Sequence, residues 1–334
     1  MTLSPPIRFL LVLVPLTGAV LLLPLVANRG LVFLAGVVAI NVVLGLSFNL
    51  LFSTAGLLSF GQATFSAAGA YAVALLLLRV PELPFVVALA VAAAVGATIA
   101  TLIGLVALRR TEGVYFAVLT LAFAELVHVV IAKTSFFGRN DGLAGIPRPR
   151  LGPIDLAQGH AYYVFVVLVT ALLIACLWWV THSRLGRSFR AVRLDPMRAA
   201  FLGIDVRRRR LEAFAISGAC AATAGGLMGP LTSIVSPDLA HWAESTKPIL
   251  FTLLGGAGHF WGPLVGAIVF SGVEYGTRSL AGASDLITGG LLLAVVLAIP
   301  GGLLGLAALV VGRLRRKGPP EKSAVQPVAE GGRP

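Results

Sequence analysis

Four ionisable side chains interrupt stretches that are otherwise apolar: Glu125, His128, Glu212 and Glu274. Glu125 and His128 stand three residues apart, which puts both on one face of a helix and lets them pair. A proton relay across a membrane needs more such groups on facing helices, so a structural hydrogen bond to a neighbouring helix is the favoured role. No carboxylate pair and no nucleophile with an adjacent base is spaced for catalysis. Cys176 and Cys220 lie singly in apolar runs, which argues against a disulfide or a metal site. The chain contains no G-x-x-x-x-G-K-[ST] phosphate loop. Its glycine run from Gly255 to Gly262 has no following lysine. The expectation is a chain with no catalytic residue, no metal, no bound cofactor and no ATPase site of its own.

The segment with the clearest local signals is SRLGRSFRAVRLDPMRAAFLGIDVRRRRLEAF, residues 183–214. Asp195 suits an N-cap, Pro196 the first helical position and Gly203 the position after the C-cap, so a short helix is predicted over Pro196–Leu202. Met197, Ala200, Phe201 and Ile204 follow the i, i+3, i+4, i+7 spacing of one apolar face. A helix this short is unstable alone and must be held by packing. It can lie on a membrane surface with its arginines on headgroups, or dock its apolar knob into a groove of a cytosolic partner. Defined caps favour docking, because lipid contact does not require so sharply bounded an element.

These groups are carried by a chain of 334 residues that is 57% hydrophobic and only 12% charged, with a mean hydropathy of +0.94. A soluble domain has about 25% charged residues. Ten candidate membrane segments emerge, near 7–27, 31–52, 60–79, 84–108, 114–133, 160–181, 211–234, 247–258, 262–281 and 284–306. The first is read as a retained helix rather than a signal peptide, because no convincing cleavage site precedes the second. In the sixth, Tyr162 and Tyr163 are separated from Trp178 and Trp179 by about 26 Å, which matches two aromatic belts. The net charge of +12 does not indicate nucleic acid here. With the N-terminus inside, 18 of the 26 lysines and arginines face the cytoplasm, including nine arginines between Arg184 and Arg210. Both termini are then cytoplasmic, and residues 312–334 read as a disordered basic tail after a permease domain over 1–311.

Two segments are poor as simple helices. Gly56, Ser59, Gly61, Ser66 and Gly69 break up the third, while Gly255, Gly256, Gly258, Gly262 and Pro263 separate the eighth from the ninth. Irregular backbone at membrane depth survives only where protein or a water-filled cavity satisfies it, and paired interruptions point to a transport pathway. Asn49, Ser59, Gln62 and Glu125 are the candidates for lining it, with core packing as the alternative for each. Glycines four apart at Gly225/Gly229, Gly262/Gly266 and Gly301/Gly305 are read as sites of tight helix packing. The fold expected is all-α and polytopic, with about ten crossings. An ion-coupled secondary transporter is the rival reading. An integral-membrane enzyme would need a polar catalytic cluster, which is not visible.

The runs GLLSFGQATFSAAGAY (56–71), YFAVLTLAFAEL (115–126), GRNDGLAGIPRP (138–149) and SPDLAHWAESTKPILFTLLGGAGHFWGPLVGAI (236–268), together with the capped helix, occur in one order. In this the chain resembles the permease subunits of ABC importers for branched-chain amino acids, the larger of the two paired permease types. The resemblance covers about residues 35–305. It implies a second permease, two cytosolic ATPases that use ATP, and a periplasmic solute-binding protein, assembled in a bacterial inner membrane. It also implies that the loop 183–211 is the coupling element, with Arg187, Arg190, Asp195, Pro196, Met197, Ala200, Phe201 and Gly203 meeting the ATPase. Movement of that element would change the side to which the bundle opens. The chain departs from the family at Gln62, where many relatives carry histidine, and at Lys247, where small or apolar residues are usual. Relatives of this group also serve urea, amides, short acids and aromatic carboxylates, so the cargo stays open.

Overall fold

The computed structural model describes residues 5–110, 113–151, 154–277, 289–290, 293 and 301–306. The sequence expectations for the tail (312–334) and for most of the tenth segment fall outside them. The fold is all-α: α1 (Pro5–Val26), α2 (Arg29–Asn49), α3 (Gln62–Arg79), α4 (Phe85–Arg110), α5 (Val114–Lys133), α6 (Ala161–His182), α7 (Arg184–Leu194), α8 (Pro196–Phe201), α9 (Val206–Thr232), α10 (Trp242–Gly255) and α11 (Gly262–Thr277). Seven helices among the described residues are long and apolar enough to cross a membrane: α1 to α6 and α9. The count of ten is not reached there, because α10 and α11 form a shorter pair.

α9 is the central helix and packs against α2, α3 and α4. Its small residues set the crossing distance. A Cβ at Gly225 would collide with the backbone of Ser66, and one at Gly69 with the backbone of Ala222, so α3 and α9 touch main chain to main chain. Ser66 and Gly69 therefore do not break the third segment as expected. They lie inside a continuous helix, and the irregular stretch is confined to residues 56–61.

That stretch follows a wide π-helical turn over Leu50–Ala55 and starts at Gly56, whose φ of 73° is left-handed. Its amides are satisfied from three directions, as backbone at membrane depth must be. Leu57 N donates to Leu51 O at 2.9 Å, Phe60 N to Thr120 Oγ1 of α5 at 3.1 Å, and Gly61 N to Ser59 Oγ at 3.1 Å. In the first turn of α3, Ala63 N donates to Ser245 Oγ of α10 at 3.0 Å.

The aromatic residues of α6 are packed more than belted. Tyr162 and Tyr163 are buried and donate to Leu227 O (2.7 Å) and Val20 O (2.8 Å). Trp178 stacks on Phe9 of α1 with ring centroids 4.4 Å apart, and Trp179 alone of the four is well exposed. A phenol has a polar tip, and a main-chain acceptor close by removes its need for the interface.

At one end of the bundle, Leu143–Ala144 (β1) pairs antiparallel with Ile234–Val235 (β4), tying the long 134–160 loop to the 233–241 loop; β2 (Arg150–Leu151) and β3 (Ile154–Asp155) form a second small ladder. The opposite end carries α7, α8, the wide turn and the 256–261 turn. These are called the loop end and the coupling end below.

Candidate solute cavity and coupling helices

A cavity of about 250 Å³ opens between α2, α3, α10 and α11. Its walls carry Phe33, Val37, Ile40 and Leu44 of α2 and Met228 of α9. α2 starts at Asn28, whose side chain accepts from Leu31 N at 2.9 Å. Asn41 therefore lies about 20 Å along the axis from that cap. α10 starts at His241, whose Nδ1 accepts from Ala243 N at 3.3 Å, so Glu244 and Lys247 occupy its first turns. Both line the cavity and pair at 2.8 Å, with roughly a third of each side chain exposed. Asp238 and Glu274 line it as well. Glu274 is twelve residues beyond the start of α11, which places it near the loop end with Asp238 and Glu244.

Gln62 lines the cavity and is wholly buried. It joins three elements: Ser47 Oγ donates to its Oε1 (3.3 Å), and its Nε2 donates to Ser217 Oγ (2.9 Å), which itself donates to Ser47 O (2.8 Å). The other three pathway candidates from the sequence do not line this cavity. Asn49 accepts from Ser53 Oγ at 2.6 Å near the coupling end. Ser59 serves the irregular backbone of its own segment. Glu125 pairs with His128 at 3.1 Å on α5, beside His241, whose ring lies 5.2 Å from that of His128. Sequence reasoning passed over Asn41, Asp238, Glu244 and Ser271. The available signal was the i, i+3 spacing of Glu244 and Lys247 next to an interrupted segment.

Glu125 Oε2 is buried without a partner among the described residues, although much of the side chain is exposed. An amide keeps an acceptor for His128, and a half-exposed pair contributes little. Glu125→Gln is expected to leave uptake within about twofold of the parent, a change of less than 1 kcal/mol. Initial-rate uptake at equal amounts of assembled protein checks it. Complete loss with assembly intact would give Glu125 a direct part in transport.

The coupling end is built from two helices where the sequence suggested one. α7 is amphipathic, with Gly186, Phe189 and Val192 buried, and Ser183 caps it by accepting from Leu185 N (3.2 Å) and Gly186 N (3.4 Å). Its arginines obscure that three-residue repeat in the sequence. Arg187 and Arg190 donate to the last carbonyls of α6, at His182 (3.4 Å) and Thr181 (2.9 Å), a favourable site for cations. Arg193 donates to Ser53 O in the wide turn.

α8 has the expected caps. Asp195 accepts from Arg198 N at 3.0 Å. At the far end Gly203, with φ of 78°, sends its N–H to Ala200 O (2.9 Å) while Ile204 N reaches Ala199 O (3.1 Å), a Schellman closure. The helix ends at Phe201, one residue earlier than expected, with Leu202 as the cap. Ala199 is buried and Ile204 partly so, which turns Met197, Ala200 and Phe201 outward; Phe201 is 85% exposed and Leu202 79%. The result is an apolar knob on a rigid mount. α9 also begins earlier than the sequence suggested, at Val206, because Asp205 caps it by accepting from Arg208 N at 3.0 Å.

Among the described residues no group of three or more His, Cys, Asp or Glu side chains is placed to hold a metal ion. The chain matches the family described as branched-chain amino acid transport system / permease component over residues 30–299. It is 32% identical over 305 residues to the high-affinity branched-chain amino acid transport system permease protein LivM of Escherichia coli K12, an alignment covering 84% of this chain and 71% of LivM. A permease protein of the same-named system in that organism, LivH, is 31% identical over 144 residues, 42% of this chain and 46% of LivH. The fructose import permease protein FrcC of Rhizobium meliloti is 34% identical over 127 residues, 36% of this chain and 35% of FrcC. No solved structure matches the chain. Seven apolar helices, the interrupted segments and the family match agree: the chain belongs to the permease family of branched-chain amino acid transport systems and is a membrane permease component of an ABC importer.

Proposed function

We propose that this chain, paired with a second permease, forms the pathway of a bacterial inner-membrane importer for branched-chain amino acids or a related small polar or carboxylate solute. LivM and LivH, two different permease proteins of one named system, support the pairing. The coupling end and both termini are cytoplasmic, and a periplasmic binding protein delivers solute at the loop end. Two cytosolic ATPases hydrolyse the ATP, and each permease offers one of them its α8. This chain holds no ATPase site.

The single observation that carries this reading is the exposed apolar knob of α8. A surface helix of six residues with Phe201 and Leu202 almost fully exposed is unfavourable unless covered. Its mount is hydrogen-bonded into the bundle through Arg193, so force applied at α8 reaches α2.

The test separates ATP drive from ion drive. In cells or vesicles with ATP held constant, collapsing the proton and sodium gradients is expected to leave uptake essentially unchanged, while depleting ATP abolishes it. Loss of uptake on collapsing the gradients at constant ATP would favour an ion-coupled secondary transporter instead.

A further inference from the structure

We infer that a blind slot beneath α1 holds an acyl chain of an anionic phospholipid from the bilayer leaflet at the loop end. Its wall residues Val38 and Val42 each lie two positions from Ile40, so the slot occupies the opposite face of α2 from the solute cavity.

α1 is held along α6 at two places. Near the coupling end Phe9 stacks on Trp178 and Trp261, with ring centroids 4.4 and 5.5 Å away. Nearer the loop end the Tyr163 hydroxyl donates to Val20 O at 2.8 Å. Only 11% of the α1 span is buried, and a hollow of about 430 Å³ lies between it and α2, α6 and α11. One end is shut. Leu13, Ile174 and Leu264 are the last wall residues of α1, α6 and α11 toward the coupling end, and one turn beyond them stand Phe9, Trp178 and Trp261, the stacked trio. At the other end the hollow reaches Ala27 and Leu31, on either side of the turn between α1 and α2. Ile268, 48% exposed, and Gly272 line its open side.

Depth and volume identify the occupant. From Leu31 to Val42 the slot runs about 16 Å at 1.5 Å per residue. A single leaflet is half of the hydrocarbon core, about 15 Å. A helix of another chain crosses both leaflets and would meet the aromatic floor halfway. A cavity of roughly 150 Å³ holds six-carbon benzene, so the slot corresponds on that scale to about 17 carbons, one acyl chain. Its polar wall groups, Thr17 and Thr170, already donate within their own helices, to Leu13 O and Val167 O, so neither hydroxyl calls for water. Charge at the mouth selects the headgroup. Arg29, between Ala27 and Leu31, lines a second hollow with Arg148 and His160, and no carboxylate is among its described lining residues. A phosphate and a negative headgroup would meet two guanidiniums there, at headgroup depth. The tail then supplies the packing that α1 does not obtain from protein.

The experiment reconstitutes the assembled importer in phosphatidylcholine nanodiscs doped with phosphatidylglycerol that carries a diazirine at the end of one acyl chain. After photolysis, adducts are expected to concentrate at the slot floor, around Leu13, Val42 and Ile174, over exposed apolar positions such as Val86, Leu102 and Val118. The same probe with a phosphatidylcholine headgroup should give about fivefold less floor adduct, and Arg29→Gln with Arg148→Gln should bring the two probes level. Gly272→Phe should cut floor adducts at least fivefold with assembly unchanged, because a Cβ there meets nothing within 4 Å. Ala171→Leu, on the α6 wall, repeats that filling test from another helix. Adducts spread in proportion to exposure, equal labelling by the two headgroups, or floor labelling that survives both filling variants would overturn the inference. Absence of floor adducts from the parent would do the same and give the slot to a protein occupant.

Discussion

Phe201→Asp is expected to insert and assemble as the parent does, and to take up solute about tenfold more slowly or worse. Phe201 is 85% exposed, makes no contribution to the buried core, and follows caps that the substitution leaves in place. Stability should therefore change by no more than about 0.5 kcal/mol, as for other exposed positions. Its partner surface is another matter. A phenylalanine buried in an apolar cleft contributes about 1.5–3 kcal/mol, and a carboxylate forced into the same cleft adds a desolvation penalty. ATP hydrolysis by the assembled importer is expected to persist at its basal level but to lose stimulation by loaded binding protein. Parallel assays of hydrolysis and uptake on one preparation check this. Normal uptake would remove α8 from the coupling path.

The second large effect lies at Gly225. Adding one methyl there places a carbon against the Ser66 main chain, which cannot rotate away as a side chain can. α3 and α9 must separate, and the first turn of α3 would lose its fit to Ser217 and Ser245. Overpacking in a tight core costs about 1–3 kcal/mol, and a backbone collision belongs at or beyond the upper end. Gly225→Ala is expected to yield little monodisperse protein in detergent size exclusion. Gly229→Ala is the control, since its new methyl would meet the side-chain tips of Val235 and Ile146 at 3.3 and 3.7 Å and main chain only at an ordinary contact of 3.8 Å, the Ala70 carbonyl. That variant should elute as the parent. Equal yields from the two would show that the α3–α9 crossing has slack.

The contrast between these residues explains what the sequence makes legible. Caps are local: Asp195, Pro196 and Gly203 declare α8 within nine positions, and the structure closes it with the bonds those residue types favour. The breaks after Gly56 and Gly255 are legible for the same reason. The cavity is not local. It draws on helices from both halves of the chain, and no window of sequence contains Asn41, Lys247 and Ser271 together. A polar residue on an apolar helix has two uses, to face a cavity or to satisfy irregular backbone nearby. Ser59 takes the second and Gln62 lines the cavity, three positions apart, and composition does not separate them. α7 was hidden because its arginines outweigh a buried repeat of three residues. The sequence predicts α10 from Lys247 onward, because the polar first turn behind the His241 cap, which extends it back to Trp242, carries no apolar periodicity.

All three arginines that hold α7 to the bundle end on main-chain carbonyls: His182 O, Thr181 O and Ser53 O. The acceptors therefore belong to the backbone path, and a substitution at position 181, 182 or 53 that keeps that path keeps the bond. Mutational risk falls almost entirely on the arginine side of each contact. The wide turn at Leu50–Ala55 adds to this, because it leaves the Ser53 carbonyl able to accept from outside its own helix. The bundle can thus drift in sequence beneath the mount, for instance as its cargo changes, while its grip on α7 and α8 is preserved. Under the coupling proposed above, such an arrangement would let one kind of ATPase serve many kinds of cavity.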